Sequence, residues 1–484
     1  MGPWLDGTAG PVYAGFAGMR RWSSALVGLS TTWLGAGASW AAGPTQVLEG
    51  VGPERKVPMV RLGVGFDQDY QQSRITRETT LDPGTGPVPT EVQELDHEFV
   101  RRRLLVDGRV GLYRRFELRL LAPIVLEQDS QIRFSDGVAG RSTIFGSPNA
   151  DDPTFSTRFP ITTVPQDRSR AGFGDLEVGL AWAPVSNDDL PTWPTVRLAA
   201  MVTLPTGDKW DPADIRALPS IDGTGGPGLG LYVFDLSVAL SKRAFLGIPT
   251  LDPYFEIGTR LPVATGDMAD LGLDPAFSGR VRMGTELVFA RDRKRDTFYG
   301  IDVGLSFRYI GSGRTRSQLT DYLPDFDQTQ VDADVFEYGD FADPSNYSRS
   351  AEGVSCVVDP DTGDPRTPGV PCGEFTRVED HVRFDGHVGF RIQPQKNFAF
   401  TAGVQVGFAN DHFITGEAAG TDLDPPDAGT CNGAPCSGRV NRVNSQGVDE
   451  RSPYFDPRYD APGGRFRAED ILNVGFFVRA IGRF

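Results

Sequence analysis

The chain is poor in several things that usually announce a function. No uncharged apolar run approaches the ~18 residues a membrane-spanning helix requires, and mean hydropathy is -0.27. Basic residues are outnumbered, 48 Lys and Arg against 64 Asp and Glu, for a net charge of -16. That balance excludes a general nucleic-acid partner, which would need a basic stripe. Histidine is scarce, with four copies, and no GxSxG, HExxH or phosphate-cradling glycine loop occurs. Enzymatic chemistry and a bound cofactor are therefore not expected. The missing apolar runs do not exclude a membrane protein, because barrel strands spread their apolar residues over alternate positions.

Cysteine is equally sparse: Cys356, Cys372, Cys431 and Cys436. An even number in an exported chain reads as disulfides, with three possible pairings. Each pair falls inside one Gly/Pro/Asp-rich stretch, which favours Cys356–Cys372 and Cys431–Cys436 as local staples. No histidine lies in either stretch, so zinc ligation is not expected. Export itself is suggested by the N-terminus. Arg20 and Arg21 follow Met19, a mildly apolar stretch comes next, and Ser39-Trp40-Ala41 has the small-x-small form of a cleavage site. The expected organisation is an N-terminal extension plus signal peptide over 1–41, a short periplasmic segment over 42–56, and one barrel over 57–484.

What is abundant is alternation. Tyr299, Ile301, Val303, Leu305, Phe307 and Tyr309 form one row, while Gly300, Asp302, Gly304, Ser306 and Arg308 form the other. The pattern recurs about twelve times, near 57–71, 97–112, 116–128, 174–184, 194–205, 230–242, 253–263, 279–290, 297–310, 380–393, 397–410 and 470–484, each long enough for a tilted span of ~9–11 residues. After the second strand every other link is short, from Tyr113–Arg115 to Pro394–Lys396, and the links between are long and polar. Sorting loops by length onto two ends is a barrel's habit: short periplasmic turns and long extracellular loops. In hydrocarbon each unpaired backbone group costs several kcal/mol, so such a sheet must close. The fold expected is all-β: a closed antiparallel up-and-down transmembrane barrel of about twelve strands, within a range of ~10–14. Arg102 alone falls in the apolar row of its strand.

Two features carry a family resemblance. The terminal Phe484, closing an alternating strand, resembles the C-terminal assembly signal of Gram-negative outer-membrane barrels, which implies recognition by the barrel assembly machinery. "GFGDLEVGLAWAP" followed by "VTLPTGD", spanning Gly172–Asp208, resembles the outer-membrane transporters of the phenol meta-degradation-pathway type. That resemblance implies location in the bacterial outer membrane, contact with its lipid and lipopolysaccharide, and passage of small solutes, often apolar or aromatic.

The polar rows would then face the lumen. They place there Arg101, Arg103, Arg109, Arg119, Arg197, Arg260, Arg280, Arg282, Arg308, Arg383, Arg391 and Arg479. Asp67, Asp107, Glu117, Asp175, Glu177, Asp235, Glu256, Glu286, Asp302 and Asp385 oppose them. Such rows can form a charged constriction that selects solutes, or a salt-bridge lattice that stiffens and seals the wall. Inward Gly179, Gly304, Gly403 and Gly407 leave room beside the charges or mark strand bends. His387, in an inward row, is expected to be a satisfied lumen histidine. "DPDTGD" at 359–364 has a partial calcium-loop form, but Val370 stands where the closing Glu belongs. Three functions stay open: a passive outer-membrane channel, a sealed structural or surface-interaction barrel, and, most distantly, an outer-membrane hydrolase.

Overall fold

A computed structural model describes residues 43–48, 51, 58–81, 88–136, 166–187, 189–209, 226–244, 250–270, 272–292, 297–323, 375–395, 397–431 and most of 434–484. Twelve strands make the wall. They are β1 (Val60–Leu81), β2 (Val88–Tyr113), β3 (Phe116–Phe134), β4 (Leu176–Val185), β5 (Thr195–Leu204) and β6 (Leu231–Ser241), then β7 (Thr250–Ala264), β8 (Ser278–Asp292), β9 (Thr297–Ile310), β10 (His381–Gln395), β11 (Phe398–Ala409) and β12 (Phe466–Arg483). Each pairs antiparallel with its sequence neighbours, and β1 pairs with β12 from Arg61↔Arg483 to Arg77↔Phe466. The sheet is closed. Val60 and Phe484 exchange both backbone hydrogen bonds at the seam, at 3.1 and 2.9 Å.

The outward rows are those the alternation predicts. Leu62, Val64, Leu120, Trp182, Leu236, Leu305, Phe384 and Val404 are all exposed on the outside of the wall. In water so many exposed large apolar side chains would be untenable. Around a barrel they form the lipid-facing belt, and the chain is an outer-membrane β-barrel in form. Tyr113, Trp193 and Phe484 stand exposed at the short-turn end, where aromatic girdles belong.

Two differences from the expected strands have a common cause. The stretch 72–96, expected as a loop, is mostly strand: β1 and β2 continue until only residues 82–87 separate them. β3 also runs on to Phe134, and an extra strand, Gln166–Phe173, pairs with it. Outward polar residues there, such as Gln72, Arg74 and Glu91, face water above the belt, so alternation with lipid no longer marks them. Arg102 does face outward; it pairs with Glu127 across the β2–β3 ladder at a bulge that ends the apolar row. Inside this tall side lies an apolar core of Ile75, Leu95, Ile132, Leu319, Tyr322, Leu323, Ile414, Phe466 and neighbours.

Candidate functional site

The lumen is stoppered at its short-turn end by the chain's own N-terminal segment. Gly43–Leu48, ahead of β1, lies inside the barrel with Thr45, Gln46, Val47 and Leu48 all buried. Val47 packs on Ala181, Ala183 and Ala199 of the wall, where small inward side chains leave space for it. Its backbone is held by charged wall residues. Arg197 donates to the Pro44 carbonyl at 2.6 Å, Arg119 donates to the Gln46 carbonyl at 3.3 Å, and the Leu48 N–H donates to Glu117 at 2.6 Å. Thr45 and Ser241 hydroxyls meet at 2.7 Å. Three residues expected to face the lumen, Glu117, Arg119 and Arg197, therefore hold the plug's backbone.

Above the plug, most of the inward charges are arranged as neighbouring ion pairs. Arg101 meets Asp69 at 2.8 Å, Arg103 meets Asp67 at 2.9 Å, and Arg391 meets Glu286 at 2.8 Å. Arg280 and Arg282 share Glu256, at 2.9 and 3.8 Å, and Arg383 meets Asp385 at 2.7 Å. Arg119 also pairs with Glu117, and Arg109 bridges Asp107 and Glu117. Planar guanidinium forks suit this lattice, because each can satisfy a carboxylate and still reach a second strand. Arg479 lies on the inward row of β12, beside the Phe477 ring. Gly403 and Gly407 leave no gap: a Cβ at Gly403 would stand 2.6 Å from the Phe477 ring, and one at Gly407 would stand 2.1 Å from Asp385. Those glycines make room for their neighbours' side chains.

Tyr254, Asp302 and His387 form a separate cluster. The Tyr254 hydroxyl donates to Asp302 at 2.9 Å and lies 3.2 Å from His387 Nε2. His387 is thus satisfied, as expected of it. His97, at the long-loop end, lies between the hydroxyls of Ser73 and Ser130, at 3.5 and 3.2 Å. Among the described residues no carboxylate hydrogen-bonds to its ring in the way a catalytic triad would require.

Two adjoining cavities occupy the remaining lumen. The middle one, about 80 Å³ open to water centres, is lined by Arg119, Arg197, Arg260, Arg280, Arg282, Arg308, Glu177, Asp235, Glu256, Asp385 and the apolar Ala199 and Met201. The outer one is about 390 Å³ and includes Arg101, Arg103, Arg170, Arg316, Asp175 and Asp321. Glu177, Thr203 and Arg260 line both. The outer cavity is roofed by residues after β9, where Ser317–Asp321 line it and Leu319, Tyr322 and Leu323 fill the apolar core. Arg170 pairs with Asp321 across this roof. Burial lowers the Arg316 pKa to about 10, with the Arg170 charge adding to the effect, and burial raises that of Tyr322.

The motif of Gly172–Asp208 proves architectural. Asp175 accepts from the Gly207 N–H at 3.1 Å and from the Leu229 N–H at 2.8 Å, while Leu176 N–H donates to the Thr206 hydroxyl at 2.9 Å. A Cβ at Gly207 would stand 2.6 Å from the Phe173 carbonyl. "GFGD" and "LPTGD" are two halves of one clamp, and Asp175 is occupied by backbone although it borders the outer cavity.

The sequence signalled neither stopper. "GPTQVL" has no distinguishing pattern. The roof segment did carry a clue, since Leu319, Tyr322 and Leu323 recur at helical spacing within an otherwise polar stretch. Of the cysteines, Cys436 is buried and disulfide-bonded; Cys356 and Cys372, like the "DPDTGD" stretch, lie outside the described residues.

The chain resembles several solved structures. An outer-membrane channel from Pseudomonas putida F1 aligns at TM-score 0.33 and 10% identity, covering 88% of this chain and 95% of that one. The TodX monoaromatic hydrocarbon channel aligns at 0.29 and 8%, covering 88% and 90%. A Pseudomonas aeruginosa FadL homologue aligns at 0.29 and 9%, with the same coverage. Similarity at that level carries no information on substrate. No protein-family description matches the chain, and no curated protein does.

Proposed function

We propose that this barrel passes small solutes through the outer membrane by passive diffusion, and that the described conformation is its closed state. The observation that carries the reading is the pair of adjoining cavities, which run inward from the roofed mouth and stop at a peptide plug. Wall side chains hold that plug by hydrogen bonds to its backbone, so it can be released without unmaking the sheet. In this reading the short turns and Phe484 face the periplasm and the long loops face outward. The segment 1–41 directs export and is then cleaved, and Phe484 presents the last strand to the assembly machinery. Lipid surrounds the belt, lipopolysaccharide meets the tall β1–β3 side, and the Cys356–Cys372 and Cys431–Cys436 staples stiffen the outer loops.

A sealed barrel is the second reading, favoured by the apolar core at the mouth and by the ion-pair lattice. Planar-bilayer recording separates the two. Stepwise conductance of folded, purified protein, with solute-dependent swelling of liposomes, supports the channel; absence of both overturns it. Turnover of lipid or peptide substrates by the same protein would instead favour the hydrolase reading.

A further inference from the structure

The lattice has a break on one side. Arg308 of β9 stands directly opposite Arg280 of β8 and directly opposite Arg383 of β10 in the strand registers. Three guanidinium groups therefore share one inward rung. Like charges directly opposite on neighbouring strands are destabilising. The outer two have carboxylates: Glu256 serves Arg280, and Asp385 serves Arg383. The middle one does not. Arg308 makes no hydrogen bond and no ion pair among the described residues, and neither does Arg260, one strand beyond Arg280. Arg280 Nε is also buried without an acceptor. Both arginines line the middle cavity, Arg260 opposite Asp235 across the β6–β7 ladder, and six arginines face four carboxylates there. The cavity is thus locally cationic inside a chain of net charge -16.

We infer that the middle cavity is a binding stop for a small organic monocarboxylate, held by Arg308 and Arg260. A carboxylate matches the planar fork of arginine and makes charge-assisted hydrogen bonds about twice as strong as neutral ones. It also supplies the negative charge that the rung lacks. Ala199 and Met201 are apolar members of the same lining, and they offer contact to a short hydrocarbon body that inorganic phosphate does not have. The volume of about 80 Å³ limits the occupant to a small molecule, given that a single water needs roughly 10–15 Å³ on this measure.

The inference rests on the lumen being reachable, as the channel reading requires, and the test keeps the two apart. Folded, detergent-solubilised full-length protein is titrated calorimetrically with sodium benzoate, sodium phosphate and neutral benzyl alcohol. The expected result is saturable benzoate binding that exceeds phosphate binding, with none for benzyl alcohol. Arg308→Gln and Arg260→Gln should each weaken it by about tenfold or more, Arg308→Lys should restore part of it, and the exposed Arg133→Gln should leave it unchanged. Circular dichroism confirms that each variant is folded. Absence of saturable benzoate binding, preference for phosphate, or indifference to both glutamine variants overturns the assignment. In bilayers, conductance without benzoate binding rejects the stop and retains the channel, whereas binding without conductance does the reverse.

Discussion

Arg197 donates a 2.6 Å hydrogen bond to the carbonyl oxygen of Pro44, tying a wall strand to a peptide that lies inside the wall. With Arg119 and Glu117 it makes three contacts to the plug's backbone. Removing residues 43–48 should leave the twelve-stranded sheet intact and raise bilayer conductance severalfold. The check is single-channel recording of the deletion beside the parent. An unchanged conductance would show that the plug is not the barrier.

The clamp around Asp175 should matter to assembly more than to passage. Asp175→Ala removes the acceptor of the part-buried Gly207 and Leu229 N–H groups, at a cost of about 1 kcal/mol for each hydrogen bond lost. Gly207→Ala forces a methyl toward the Phe173 carbonyl. Both variants should melt at a lower temperature, read by circular dichroism or by heat-dependent gel mobility. Conductance of whatever fraction folds should match the parent.

At the long-loop rim, the His381 and His412 rings stack with centroids 3.9 Å apart. Burial, followed by the His381 charge, lowers the His412 pKa from 6.5 to about 4. The unfolded segment therefore binds a proton that the folded one refuses between about pH 6.5 and 4. Local stability should be full above that window and fall as pH drops through it, by about 3 kcal/mol at most. Hydrogen–deuterium exchange across 410–416 should quicken at pH 4.5, and His412→Gln should reduce the pH step.

Phe484 combines two roles that substitution can separate. Its backbone closes the seam with Val60, and its ring is 77% exposed on the outside. Deleting the residue removes both hydrogen bonds and the ring, whereas Phe484→Ala removes only the ring. Folded yield in the outer membrane should fall for both, and further for the deletion. Equal yields for all three chains would refute the assembly role.

Strand positions were legible because lipid contact imposes a simple code: every second side chain must be apolar, and the twelve spans follow it. The code fails where lipid ends. Gln72, Arg74 and Glu91 are strand residues above the belt, so nothing in their chemistry distinguishes them from loop. Lumen charges could be assigned to the inward face by parity, but partnership could not. Arg280 and Arg308 look alike in sequence, and only the side-chain contacts show that Arg280 forms an ion pair, with Glu256. Backbone-directed roles were equally hidden, since an arginine that holds Pro44 reads like any other.

The plug also imposes an order on how the molecule is made. Residues 43–48 precede every wall strand in the chain, yet the groups that hold them belong to β3, β5 and β6. Before those strands pair there is nothing for the segment to bind. The earliest-synthesised part of the barrel chain is therefore obliged to wait, unengaged, until the lumen has formed around its place. A chain caught early in assembly should expose that segment to protease, and protection should appear only as the wall is completed.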